Sequence, residues 1–199
     1  VEGLDHSSAG IAAMNPHMVG KADQGDVFEL LAARIAAGRA YDLVWLTNVL
    51  EHVIDPPGLL ESLGKLVNPG GVLLLTVPND GSAFQEMLLE TGRIDERFWV
   101  AIPDHLAYFT SDSLRTIAAA TGWKCHEIIA GFPVDLFLLH SGSNYIRDKQ
   151  AGPIAHQARI EMEHLLSHRP AEDVHAYLTA MAAVGLGRTL TAAFTREAV

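Results

Sequence analysis

His105 is the candidate proton-moving group of this chain. It lies in Pro103-Asp-His-Leu-Ala-Tyr-Phe109, a loop leading into a helix-like stretch. Imidazole exchanges protons near neutral pH, so such a histidine can take one from a hydroxyl. It can equally anchor its loop through a hydrogen bond. A second group of polar side chains, Thr47, Asn48, Glu51 and His52, follows the apolar run Tyr41-Asp-Leu-Val-Trp-Leu46. The run has the pattern of a strand buried on both faces. Ligands of open α/β sheets bind beyond the carboxyl ends of strands, so this end is a candidate binding edge. Asn79 and Asp80 follow another apolar run, 72–77, and can meet a substrate there or close an Asx turn. Asp5 ends Val1-Glu-Gly-Leu-Asp5, with His6 beside it. A carboxylate there can accept both hydroxyls of a ribose, each bond contributing roughly 1.5–3 kcal/mol, or it can cap a turn. Asp26, after Gly25, is placed to cap a helix.

Other polar sets are read more plainly. His164 and His168 stand four apart with Glu161 one turn earlier, a spacing that can hold a metal. Among ten histidines spread along the chain, this pair reads as a solvated helix face, and no metal site is expected. Cys125, in an expected strand, reads as inert core.

The 199 residues suit one domain with a small appendage, and 49% hydrophobic content supplies a sizeable core. A formal charge of −10 offers no basic stripe for phosphates, so no nucleic-acid partner is expected. A single cysteine fits a reducing, cytoplasmic setting. No apolar run is long enough to cross a bilayer, so no membrane partner is expected.

Strand and helix signals alternate. Strands are expected at 1–5, 18–23, 41–47, 72–77, 123–130 and 188–196, and helices near 8–14, 27–37, 56–66 and 111–120. Asn68-Pro-Gly-Gly71 reads as a turn. The segment 79–108 reads as a long insertion with exposed aromatics, Phe84, Phe98, Trp99 and Tyr108, that can wall a pocket. Helices fill 154–183 with a break near Arg169-Pro170. The fold class is α/β, Rossmann-like: a mostly parallel sheet, an antiparallel last strand and helices on both faces.

Five motifs in order carry a family resemblance. They are Val1-x-Gly-Leu-Asp5, Gly25-Asp26, Tyr41-Asp-Leu-Val44 with Val49-Leu-Glu-His-Val53, Asn68-Pro-Gly-Gly-Val-Leu-Leu-Leu-Thr-Val-Pro78, and His105-Leu-Ala-Tyr-Phe-Thr110 with Ser113-Leu114. Together they resemble the class I S-adenosylmethionine-dependent methyltransferases, closest to the bacterial branch of small-molecule and sugar O-methyltransferases. The resemblance covers about residues 1–131, and Gly185-Leu-Gly-Arg188 onward resembles that fold's last strand. It implies S-adenosylmethionine as cofactor and methyl transfer to an oxygen, less readily a nitrogen, of a small polar acceptor. It implies Asp5 and His6 at the ribose and Asp26 at the adenine amino group, with Val27 against the ring. Thr47, Asn48, Val49 and His52 would line the methionine part and the methyl group. His105 becomes the base, and Asn79, Asp80, Asp104 and Tyr108 face the acceptor.

One departure stands out. The family's glycine-rich loop precedes the acid-ended second strand, and this chain begins at that strand. Gly185-Leu-Gly187 leads into a strand, not a helix, and cannot replace it. The expectation is a piece of a longer protein whose sheet has a gap in its middle. Such a piece should bind cofactor weakly or not at all; micromolar binding measured calorimetrically would overturn this. The methyltransferase-like domain is expected at 1–145 and 185–199, and 146–184 as a helical insertion, lid or homodimer contact. Two other functions stay open: an NAD(P)-dependent oxidoreductase, whose ribose also suits a strand-end acid, and a degenerate, non-catalytic binding module.

Overall fold

Two short parallel strands, β1 (Gly3–Asp5) and β2 (Ala22–Gln24), lead the computed structural model, which describes residues 1–196. The last three residues of the expected 185–199 stretch lie outside the described residues. Helix α1 (Ala9–Met14) separates the two strands. The strand expected at 18–23 starts later, because Pro16–Met18 forms a 3₁₀ turn instead. Proline opens such a turn well, since the N–H it lacks would have no partner there. Helix α2 (Val27–Ala36) begins where expected: the Asp26 carboxylate accepts from the amides of Phe28 and Glu29 at 2.9 and 3.1 Å. Gly38, at φ +66°, ends it in a conformation glycine tolerates best.

The main sheet holds β3 (Tyr41–Thr47), β4 (Val67–Pro78), β5 (Trp123–Ala130) and β6 (Thr189–Arg196) in the order β3-β4-β6-β5. β3 and β4 run parallel, while β6 opposes both its neighbours. Three strands therefore share one direction and the last one reverses, as expected. Between them come α3 (Pro56–Gly64), α4 (Ala83–Glu90), α5 (Ser111–Ala120), α6 (Ala151–Ser167) and α7 (Ala171–Ala183). Trp123 is fully buried and its indole N–H reaches the Leu60 carbonyl at 3.1 Å, so α3 and α5 cover one face. α7 lies against β5, where Glu127 accepts from His175 and Thr179. Leu59, Leu60, Leu63, Leu73, Leu75, Val77, Leu114 and Phe194 form the shared core.

Among the described residues, β1–β2 and the main sheet are not hydrogen-bonded to each other. A cavity of about 460 Å³ lies between β1 and β3. This corrects the reading of 41–47 as buried on both faces: Leu43 is 54% and Trp45 68% exposed. Their apolar character suits a central strand, but one edge of β3 opens on that cavity. Asn68–Gly71 is likewise no separate turn. Tyr41 pairs with Val67 and Leu43 with Val72, so residues 68–71 bulge out of β4 opposite Asp42.

Segment 79–108 is more ordered than expected. Ser82 and Gln85 form a capping box that starts α4 inside it. Its aromatics are not exposed: Trp99 is buried with Leu88, Ile94 and Leu138, and Phe84, Phe98 and Tyr108 pack on that cluster. Asp135, also buried, accepts from Gln85 Nε2 at 3.0 Å and from the Tyr145 hydroxyl at 2.8 Å. Burial and that carboxylate push the Tyr145 phenol far above its ordinary range. Tyr145→Phe leaves a buried carboxylate short of a donor and should cost about 1–3 kcal/mol; chemical denaturation would show it. Tyr145 and Lys149 also have a Tyr-x-x-x-Lys spacing, but the phenol is committed to Asp135 and Lys149 is exposed. The spacing therefore lends no support to a dehydrogenase pair.

Candidate active site

The cavity beside β3 brings together four residues expected at a cofactor. Asp5 at the end of β1, Val27 at the start of α2, and Thr47 and Val49 beyond β3 all line it. Asp5 Oδ1 accepts the Ser7 amide at 2.8 Å, which fixes the carboxylate. Among the described residues its other oxygen has no bond. The remaining expected cofactor residues are placed differently. Asp26 serves as the α2 cap, and His6 is exposed. Asn48 adopts φ +51°, a left-handed conformation that asparagine tolerates better than most residues. Past Asn48 and Val49 the chain runs on to a second group of polar side chains.

The second group is built by the 3₁₀ turn Leu50–His52 and the loop 101–109. The Glu51 carbonyl accepts from the amides of Leu106 and Ala107 at 2.8 and 3.2 Å. The Phe109 carbonyl accepts the Asp80 amide at 3.0 Å, so the loop is held at both ends. His52 and His105 then meet edge to face, with ring centroids 4.9 Å apart. His52 Nδ1 lies 2.7 Å from the Asp104 carbonyl. A carbonyl only accepts, so Nδ1 carries the proton and Nε2 keeps a lone pair in the neutral ring. That Nε2 stands 3.7 Å from Glu51 Oε1.

Asp80, with a side chain 1% exposed, links this group to β6. One oxygen accepts Arg188 Nη1 at 2.6 Å, and the other lies 3.5 Å from His105 Nδ1. The Arg188 guanidinium sits 5.5 Å from the centre of the Phe98 ring. Burial raises the Glu51 carboxyl above its ordinary range, against the pull of both histidines.

Of the expected acceptor residues, Asp80 and Tyr108 flank His105, and Asp104 contributes its carbonyl. Tyr108 is a loop brace: its hydroxyl takes the Ala101 amide and reaches the His105 carbonyl. Asn79 is 2% exposed and its amide donates to the Gly187 carbonyl at 3.0 Å, so it fastens β6 to β4. Arg188 escaped the sequence reading, visible only as the end of the Gly185-Leu-Gly187 turn, and its position does not show from sequence that it will face the buried Asp80. Glu51 was expected at the binding edge, but not beside His105.

Residues 1–128 match the family model described as a methyltransferase domain. This chain belongs to that family. It resembles the ubiquinone biosynthesis O-methyltransferase of Burkholderia vietnamiensis. The two are 33% identical over 141 residues, which covers 64% of this chain and 60% of the relative. The enzyme of the same name from Aeromonas salmonicida is 30% identical over 83 residues, covering 41% and 35%. The chain thus spans about 60% of the length of the first of these relatives. A structure of a SAM-dependent methyltransferase from Archaeoglobus fulgidus superposes over 98% of this chain and 75% of its own, at TM-score 0.54 and 14% identity. At that identity the likeness is one of fold. No helix among the described residues is long and apolar enough to cross a membrane.

Proposed function

We propose that this methyltransferase moves a methyl group from S-adenosylmethionine to an oxygen of a small polar acceptor, with nitrogen the less favoured atom. The observation that carries the reading is the continuity of Thr47–His52. This stretch leaves a cavity edged by a strand-end carboxylate and arrives at two imidazoles within a few residues. The cavity suits the cofactor: Asp5 offers a free carboxylate oxygen to ribose hydroxyls, and Val27 offers an apolar surface to a ring. S-adenosylmethionine supplies an electrophilic methyl on a sulfonium sulfur. The protein's task is alignment, exclusion of water and handling of the acceptor's proton. His105, held between Tyr108, Asp80 and His52, is the group placed to take that proton. The O-methyltransferase names of the curated relatives favour oxygen as the acceptor atom.

The test is direct. The complete enzyme, given S-adenosylmethionine and a panel of phenols, catechols and matching amines, should release S-adenosylhomocysteine faster with the hydroxyl compounds. Release with amines alone would reassign the acceptor. Cofactor binding with no turnover on any acceptor would point to a binding module.

A further inference from the structure

We infer that Asp80, held by Arg188, is a positioning residue for His105: its carboxylate keeps the hydrogen of the neutral imidazole on Nδ1 and leaves the Nε2 lone pair for the acceptor's hydroxyl. The inference rests on the reading of His105 as the group that takes the acceptor's proton. It moves Asp80 from contact with the acceptor to support of the base.

Asp80 stands two residues past the end of β4, and main-chain pairing fixes the chain there. The Asn79 amide donates to the Arg188 carbonyl at 3.0 Å, and the Asp80 amide donates to the Phe109 carbonyl at 3.0 Å. Asn79 and Phe109 also form a parallel bridge. The carboxylate is thereby set between β6 and the loop 101–109, with its side chain 1% exposed. A buried charge is tolerated when it is paired, and Arg188 Nη1 meets one oxygen at 2.6 Å. The guanidinium is steadied in turn over the Phe98 ring. With one oxygen so occupied, the other is left 3.5 Å from His105 Nδ1.

His105 Nδ1 is buried and has no hydrogen-bond partner among the described residues. Its distance from Asp80 lies just beyond a good hydrogen bond. Catalytic hydrogen bonds are often this long before substrate arrives and shorten in the complex. A lone pair facing a carboxylate is repelled and an N–H is attracted, so the neutral ring carries its hydrogen on Nδ1. The charged and titratable groups around the ring are Asp80 with Arg188 behind it, Glu51 and His52 from the 3₁₀ turn, and Tyr108 from its own loop. Tyr108 spends its hydroxyl on main-chain atoms and His52 spends its Nδ1 on the Asp104 carbonyl, so neither competes for the Asp80 oxygen. In the transfer, the acceptor oxygen bonds the methyl carbon, the C–S electron pair returns to sulfur, and the hydroxyl proton passes to Nε2. Asp80 takes no proton; it faces the positive ring until that proton leaves to water.

Proton–nitrogen correlation spectra of the complete enzyme, labelled at its histidine rings and kept mildly alkaline, test this without methyl donor. They report which ring nitrogen bears hydrogen, and His105→Gln identifies the signal. The parent should carry hydrogen on His105 Nδ1. In Asp80→Asn the amide oxygen stays with Arg188 and the NH₂ faces Nδ1, so most of the ring should move to the Nε2–H form. The same variant should lose roughly 10²-fold or more in kcat, with both KM values within about threefold. Asp80→Glu, which keeps the charge, should restore the Nδ1–H form. A purely structural Asp80 would lower the melting point and leave the tautomer unmoved. Hydrogen on Nε2 in the parent, or an unmoved Nδ1–H signal in folded Asp80→Asn, would overturn the assignment; where that variant fails to fold, the parent spectrum decides. The expected tautomers without methyl transfer to any hydroxyl refute only the proposed function. Methyl transfer with the wrong tautomer refutes only this inference.

Discussion

Replacing His105 by alanine is expected to lower methyl transfer by about 10²- to 10⁴-fold. Affinity for S-adenosylmethionine should stay unchanged, because His105 lies outside the cavity lined by Asp5, Val27, Thr47 and Val49. The loss falls on turnover because this imidazole is the one braced on several sides. It stands 3.5 Å from a buried carboxylate, edge-on to His52, and in a loop pinned through the Glu51 carbonyl. Single-turnover rates with saturating cofactor would measure the effect, and an unchanged rate would remove His105 from the chemistry.

Gly187→Ala is expected to be the most damaging single-methyl change. Gly187 has φ +98°, which costs a residue bearing Cβ roughly 1–2 kcal/mol. A Cβ there would also lie 2.6 Å from both the Ala130 Cβ and the Gly131 carbonyl oxygen. Overpacking of this kind costs about 1–3 kcal/mol. In a domain of this size each kcal/mol moves the melting point by roughly 2–4 °C, so a fall of roughly 5–15 °C is expected. Function should suffer with it, because Gly187 accepts from Asn79 and the next residue, Arg188, holds Asp80. A melting point within a degree of the parent would mean the turn relaxes freely.

Much of the fold could be read from local signals. Asp26 before Val27, the leucines at 59, 60, 63 and 66, and Gly122 before Trp123 each mark an element boundary by chemistry that acts within a few residues. Helix α4 was missed although Ser82 and Gln85 form its capping box, because Gly81 and the aromatics around it suggested a loop. The exposure of β3 was unreadable for a different reason. Its composition records a strand flanked on both sides, whereas its actual surroundings depend on which strands pair with it. The site divides along the same line. Strand-end residues such as Asp5 and Thr47 follow from topology, but the meeting of Glu51 with His105 depends on how a loop 50 residues away folds back. No spacing rule in the chain encodes that contact.

The divided sheet carries a consequence for how this protein behaves in company. Among the described residues, β1 and β3 face each other across the slot with main-chain amides and carbonyls that no neighbouring strand satisfies. Side chains bridge the two blocks near Tyr41: its hydroxyl donates to Glu2 at 2.6 Å, and Arg39 pairs with the same carboxylate. Salt weakens exposed contacts of that kind while it strengthens the attraction between bare apolar surfaces such as Leu43 and Trp45. An extended segment laid into the slot, from this protein or from a partner, would gain two rows of hydrogen bonds at once.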